Sequence, residues 1–258
     1  MSSSPPSAVY ESLKSKVVVV TGGASGIGAA IVEAFVRQGS RVFFLDVDDE
    51  SAAALIQNLS IPDLITPTYL RFDLTDIPQL QQAVESILQS ASAIDVLVNN
   101  AGNDKRHSLE DVTPEFWRWC LDVNLKHQFF MAQAVLPGMQ KAKRGSIINL
   151  SSISWVIPST DVPVYVMAKA AIVGMTRTLA HTVGADGVRV NCVMPGAIFT
   201  EKQKRTVLTD AYRKEIRERQ ALAIEISPSD VADLVLFLAS EQSRAITNQS
   251  FVIDGGWV

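Results

Sequence analysis

A tyrosine and a lysine stand four positions apart in Tyr165-Val166-Met167-Ala168-Lys169. On a helix that spacing puts phenol and ammonium on one face, a turn apart. A free phenol has a pKa near ~10 and is a poor base at neutral pH. A neighbouring cation favours the phenolate and lowers that value. The pair is therefore suited to exchange a proton with an alcohol or a carbonyl, although the same spacing also makes an ordinary surface pair. Ser152 follows the strand-like run Ser146-Ile147-Ile148-Asn149-Leu150. It is placed to donate to the substrate oxygen that Tyr165 serves, or else is a plain strand-end serine. Asn124, in Asp122-Val123-Asn124-Leu125, falls within a helical pattern where asparagine is a poor choice. Buried there it needs a partner, and it is placed to hold a water that passes protons to Lys169.

Such chemistry needs a redox partner, and a second constellation suits one. The run Val17-Val18-Val19-Val20 leads into Thr21-Gly22-Gly23-Ala24-Ser25-Gly26-Ile27-Gly28 and then a helical pattern. Strand, glycine turn and helix in that order cradle a pyrophosphate. Gly22, Gly26 and Gly28 let the backbone turn and a ligand approach closely, and the helix N-terminus offers N–H groups and partial positive charge. Asp46 ends the next apolar run, about 20 residues on, where an acid binds ribose hydroxyls and repels a 2′-phosphate; its alternative is a turn aspartate. The expected cofactor is NAD rather than NADP. Asp73, in Phe72-Asp73-Leu74, is placed to bind the adenine amino group or to cap the helix that follows. Asn99-Asn100-Ala101-Gly102 ends the fourth strand, with asparagines suited to pinning backbone turns.

The polar stretch Asn103-Asp104-Lys105-Arg106-His107 lies beside this catalytic edge and suggests a ligand with several hydroxyls. Ser154-Trp155 follows Ser152 closely, and an indole supplies a flat apolar wall with one N–H donor, which suits a sugar ring. Read blandly, these are a solvated loop and a core tryptophan. Asn103, His107, Ser152, Ser154, Trp155 and Tyr165 are the expected substrate contacts, with Arg106 and Gln203 as further candidates. The alternative for His107 is a cap. His107, His127 and His181 share no ligand spacing with each other or with Cys120 and Cys192, so no metal is expected.

The alternation of short apolar runs with amphipathic segments calls for a parallel sheet with helices on both faces. Strands are expected at 16–21, 41–46, 67–72, 94–99, 145–150, 188–194 and 249–253. Helices are expected at 26–38, 49–59, 76–90, 114–140, 163–184 and 229–239. Thr113-Pro114 and Ser227-Pro228 mark two helix starts. The densely charged segment 195–226 is expected as a solvated helical insertion, a substrate lid, or both. Residues 1–14 are expected as a disordered arm and 15–258 as one domain. The 258 residues are 47% hydrophobic, enough for a sizeable core, and the net charge of −4 gives no footprint for nucleic acid or an anionic membrane. Two distant cysteines suit free thiols in a reducing, cytoplasmic setting. Neither an apolar run long enough to span a bilayer nor a secretory leader is evident.

In this order and spacing the motifs resemble those of the short-chain dehydrogenase/reductases over about residues 14–258: Thr21-Gly22-x3-Gly26-x-Gly28, Asn99-Asn100-Ala101-Gly102, Asn124, Ser152, Tyr165-x3-Lys169 and Pro195-Gly196-x3-Thr200. The resemblance implies a doubly wound Rossmann-type α/β sheet of seven parallel strands, in a homotetramer. It implies Tyr165 as acid/base, Lys169 on the nicotinamide ribose, Ser152 orienting the substrate oxygen and Asn124 anchoring a proton relay. Gly22, Ser25, Gly26, Ile27, Gly28, Asp46, Asp73, Leu74, Asn100, Ala101, Gly102, Tyr165 and Lys169 would contact the cofactor, with Pro195, Gly196, Ile198 and Thr200 on the nicotinamide side. Asn103-Asp104-x-Arg106-His107, Asp122 to Phe130, Ser152-Ile153-Ser154-Trp155 and the ending Phe251 to Trp257 are similar to the aldose 1-dehydrogenase branch. There an acid often stands where this chain has Lys105, which leaves the sugar open and an acidic sugar in play. The expectation is NAD-dependent oxidation of an aldose at C1 to its lactone. A polyol or secondary-alcohol dehydrogenase, a carbonyl reductase or a non-catalytic binding protein are the alternatives.

Overall fold

The computed structural model describes residues 8–91 and 93–258. Seven parallel strands form its sheet: β1 (Val17–Thr21), β2 (Arg41–Asp46), β3 (Thr68–Arg71), β4 (Val96–Asn99), β5 (Gly145–Leu150), β6 (Val188–Pro195) and β7 (Ser250–Ile253). Their order is β3-β2-β1-β4-β5-β6-β7. β1 is hydrogen-bonded to β2 on one side and β4 on the other, so the order of strand addition reverses there. A crevice opens beyond the strand ends at that switch point.

Helices α1 (Gly26–Arg37), α2 (Asp49–Asn58), α3 (Ile77–Ser90), α4 (Pro114–Leu121), α5 (His127–Ala142), α6 (Pro163–Val183), α7 (Glu201–Thr206), α8 (Asp210–Arg219) and α9 (Pro228–Ala239) connect the strands. Side chains alternate across each strand. Val18, Val20, Val42 and Phe44 pack with Phe35 of α1 and Val235 of α9. Val19, Phe43 and Leu45 pack on the other face with Leu80 of α3 and Met131 of α5. Both faces are covered, so the central strands β1, β2 and β4 are apolar and buried along most of their length.

Most helices start on a side-chain cap: Asp48 for α2, Asp76 for α3, Thr113 for α4, Thr200 for α7 and Thr209 for α8. Ser227 and Asp230 form a capping box on α9. Ser25 makes no such bond to α1, so the first turn of α1 keeps its N–H groups free for a ligand.

Two expectations change. The helix expected over 114–140 is interrupted at Asp122–Lys126 by a π-helical turn between α4 and α5. The segment 195–226, in keeping with a helical insertion, holds two helices, α7 and α8. Residues 8–14, expected as arm, pack on the domain: Leu13 is buried, and Tyr10 N–H donates to Gln38 Oε1 at 2.8 Å. Among the described residues no helix is long and apolar enough to cross a membrane.

Candidate active site

The strand ends open into a cavity of about 1190 Å³ that runs from the glycine turn to α8. Its first half is built by β1, β2 and β4. Gly22 has φ +64°, and a Cβ there would lie 2.7 Å from Ala101 Cα. A Cβ on Gly28 would lie 1.8 Å from the Gly22 carbonyl oxygen. Only glycine fits either place. Asn100 locks the turn to β4, its Nδ2 donating to the Thr21 and Gly22 carbonyls at 3.0 and 2.9 Å. Asp46 accepts N–H bonds from Ala24, Val47 and Asp48 at 2.9, 2.8 and 3.2 Å. Oδ1 takes two of these bonds and Oδ2 one, so Oδ2 keeps a second acceptor site, and Asp46 lies on the cavity wall. Asp73 accepts from the Thr75 N–H and hydroxyl, while Asp76 caps α3. Ser25, Gly26, Ile27, Leu74, Gly102, Pro195, Gly196, Ile198 and Thr200 line the same cavity. A close-approach glycine turn, an uncapped helix N-terminus and two carboxylates in that order fit a dinucleotide.

The second half carries the proton chemistry. Tyr165 and Lys169 project from the first turns of α6 and both line the cavity. Lys169 is buried; its Nζ donates to the Leu150 carbonyl at 2.9 Å and sits 5.3 Å from the centre of the Tyr165 ring. Burial depresses the Lys169 pKa to about 8. The phenol behaves differently from the expectation. Burial, then the charge of Asp104, pushes Tyr165 above its ordinary value, while the Ser152 hydroxyl bond pulls it back. Burial is the largest influence on the phenol, so the lowering expected from the ammonium does not prevail here.

Asn124 stands at the centre of the π turn. Its Oδ1 accepts from Asn103 N–H at 2.7 Å, and its Nδ2 donates to the carbonyls of Asn103 and Cys120 at 3.1 and 2.9 Å. The side chain thus takes the Cys120 carbonyl that a regular α-helix would pair with the residue 124 N–H. That substitution opens the helix and fastens it to the loop after β4. A Cβ on Gly102 would fall 3.0 Å from Asn124 Oδ1 and 3.4 Å from Lys169 Nζ, so a side chain at 102 would crowd both groups.

The substrate end differs from its sequence reading in three places. His107 lies off the cavity wall. Val164 N–H donates to its Nε2 at 3.2 Å and its Nδ1–H donates to the Lys105 carbonyl at 2.8 Å. Both ring nitrogens are spent on the protein: Nε2 caps α6 one residue before Tyr165, and Nδ1 ties the ring to its own loop. Trp155 is exposed and also off the wall; the indoles on it are Trp119 of α4 and Trp257. Trp257 arrives through a tight turn in which Asp254 accepts the N–H groups of Gly256 and Val258 at 2.8 and 2.9 Å. Lys105 lies over the rings of Phe116 and Trp119, 5.9 Å from each centre, and not in the cavity.

Asn103, Ser152, Ser154, Arg106 and Gln203 do line this end. So do Asp104 and Tyr212, which sequence reading missed as site residues. Asp104 stands inside the polar stretch, but only the fold shows that α7 and α8 close over it. His127 is buried and bonds the Ala101 carbonyl through Nε2 at 3.1 Å; burial and the Lys169 charge push its pKa down to about 3.

A family profile described as enoyl-(acyl carrier protein) reductase matches residues 22–258. The chain is 44% identical over 251 residues to a probable galactose dehydrogenase of Rhizobium meliloti (strain 1021), covering 97% of this chain and 98% of that one. It is 46% identical over 251 residues to D-xylose 1-dehydrogenase of Caulobacter vibrioides (strain NA1000 / CB15N), covering 97% and 99%. A 3-oxoacyl-[acyl-carrier protein] reductase with bound NAD from Brucella melitensis superposes with a TM-score of 0.88 at 31% identity, over 100% of this chain and 97% of that one. These matches run through both halves of the cavity, the cradle and the proton-transfer end alike. The chain belongs to the short-chain dehydrogenase/reductase family.

Proposed function

We propose that this protein is an NAD-dependent aldose 1-dehydrogenase. The observation that carries the reading is a single cavity in which Tyr165, Ser152 and Lys169 sit between a dinucleotide cradle and a polar chamber walled by Trp119 and Trp257. Two relatives that match nearly end to end are named for oxidation of galactose and xylose. Asp46 and the neighbouring Asp48 on the wall support NAD over NADP, because a 2′-phosphate would meet two carboxylates.

When bound, oxidised nicotinamide would supply the hydride acceptor. Ser152 and Tyr165 hold the anomeric hydroxyl, and Tyr165 removes its proton. Loss of that proton together with a hydride from C1 turns the ring carbon into a lactone carbonyl. Lys169 and Asn124, both beside Gly102, hold the path by which the proton leaves Tyr165. A neutral aldose fits better than an acidic one, since Lys105 is turned away and a carboxylate, Asp104, faces the chamber.

The assembly proposed is a cytoplasmic homotetramer. Both cysteines are free and buried. Leu222, Ile224, Val252 and Val258 leave apolar surface exposed around the β7 edge, which supports a subunit contact there.

The test is a panel of neutral aldoses, their uronic acids, acyclic polyols and simple secondary alcohols with NAD and NADP, following reduced cofactor and identifying products by chromatography. A lactone or aldonic acid from an aldose is the expected result. A polyol or secondary alcohol oxidised in preference to every aldose defeats the reading.

A further inference from the structure

Asp104 is a charged group inside the chamber that the proton-transfer machinery does not use. Its carboxylate is held from the α7 side by Gln203 Nε2 at 2.8 Å and Lys202 Nζ at 3.2 Å, and from its own loop by Arg106 Nη2 at 3.6 Å. Arg106 is anchored in turn by Asp161 at 2.7 Å. Burial pushes the Asp104 carboxyl up, but the Gln203 amide and the Lys202 and Arg106 charges outweigh it and keep it below the ordinary range. The group stays ionised, with its side chain about one-fifth exposed at 22% and that exposure opening into the cavity. An ionised carboxylate offers about four acceptor sites, and its neighbours occupy only part of them. A second observation marks the same chamber as a place for hydroxyls: Ser154 Oγ is shielded from solvent and has no protein partner, and Ser154 lies on the cavity wall. A buried hydroxyl without a partner is costly unless a ligand completes it.

We propose that Asp104 is a specificity-determining residue whose carboxylate accepts a hydrogen bond from a ring hydroxyl of the substrate while its other contacts tie α7 down over the chamber. Recognition of the hydroxyl and closure of the cavity then meet in one group, and a substrate lacking that hydroxyl leaves an ionised acceptor unpaired. The inference rests on the aldose reading and deepens it.

The test is a cycle between enzyme and substrate variants. The best aldose and its monodeoxy analogues are compared on wild type, on Asp104→Asn, on Asp104→Ser in case the amide folds poorly, and on the Lys202→Ala/Gln203→Ala double variant, which loosens α7 and keeps the carboxylate. Wild type is expected to lose at least ~10-fold in kcat/KM at one deoxy position, the scale of a hydrogen bond to a charged group. In the Asp104 variants that penalty shrinks to within about twofold; in the Lys202/Gln203 variant it persists. If Asp104→Asn and Asp104→Ser keep the full penalty at every position, or if the double variant erases it as they do, Asp104 is a latch and the inference falls alone. A wild type that oxidises no aldose overturns the functional reading and this inference with it.

Discussion

A buried phenol whose proton is held tightly by its surroundings sets the chemistry at the scale of single residues. Removing the hydroxyl in Tyr165→Phe is expected to cut kcat about 10³-fold and to leave NAD binding, measured by fluorescence titration, nearly unchanged. The same phenol predicts a pH dependence. Burial and the negative charge of Asp104 both favour the protonated form, so oxidation should quicken as pH rises. Removing the Asp104 charge favours the phenolate, so Asp104→Asn should move the midpoint of the kcat–pH profile to lower pH. A midpoint that stays put, or moves up, contradicts the assignment. Much at this scale was legible in the sequence, because Tyr165, Lys169 and Ser152 are named by type and spacing. The direction of the phenol's shift was not, since it depends first on burial in the folded chain and then on a carboxylate 61 positions away.

At the scale of elements, two joints position those groups. The first is the π turn at Asp122–Lys126, held open by Asn124; π turns of this kind recur at functional sites. The second is the imidazole of His107 at the start of α6. Replacing it in His107→Leu should cost about 1 kcal/mol of stability, as the loss of a helix cap does. It should also lower kcat more than it raises KM, because the cap steers Tyr165 and not the substrate. Thermal melts and steady-state kinetics read the two effects; a rise in KM alone would favour the sequence reading of His107 as a substrate contact. Strands and caps were largely readable, as at Thr113-Pro114 and Ser227-Pro228. The break inside 114–140 was not, because the Asn124 side chain that takes the Cys120 carbonyl is held by Asn103 in the loop after β4, a partner 21 positions away that no local pattern records.

For the whole molecule, the buried neutral His127 links folding to pH. In the folded state its pKa is about 3, against 6.5 for the free side chain. Between those values the unfolded chain takes up a proton that the folded one refuses, so stability falls as pH drops, by about 1.4 kcal/mol per pH unit from this group. The contribution is absent above the unfolded value. His127→Gln should flatten that acid limb in urea melts run from pH 7 to pH 4, and an unchanged slope would contradict it. Assembly is the other property of this scale. Light scattering should report a tetramer, and Val252→Lys, a charge on the exposed β7 edge, should lower the mass.

The sequence by itself determined the parallel sheet, the glycine cradle with its acidic partner and the Tyr165–Lys169–Ser152 set. Each is written in local periodicity or in short spacings that a single strand, turn or helix imposes. Only the tertiary structure decided what surrounds the substrate. It moved the indole wall from Trp155 to Trp119 and Trp257, turned His107 into a cap and Lys105 away from the chamber, and brought Asp104 under α7. A cavity wall is assembled from segments far apart in the chain, and which side of each segment faces inward depends on long-range packing.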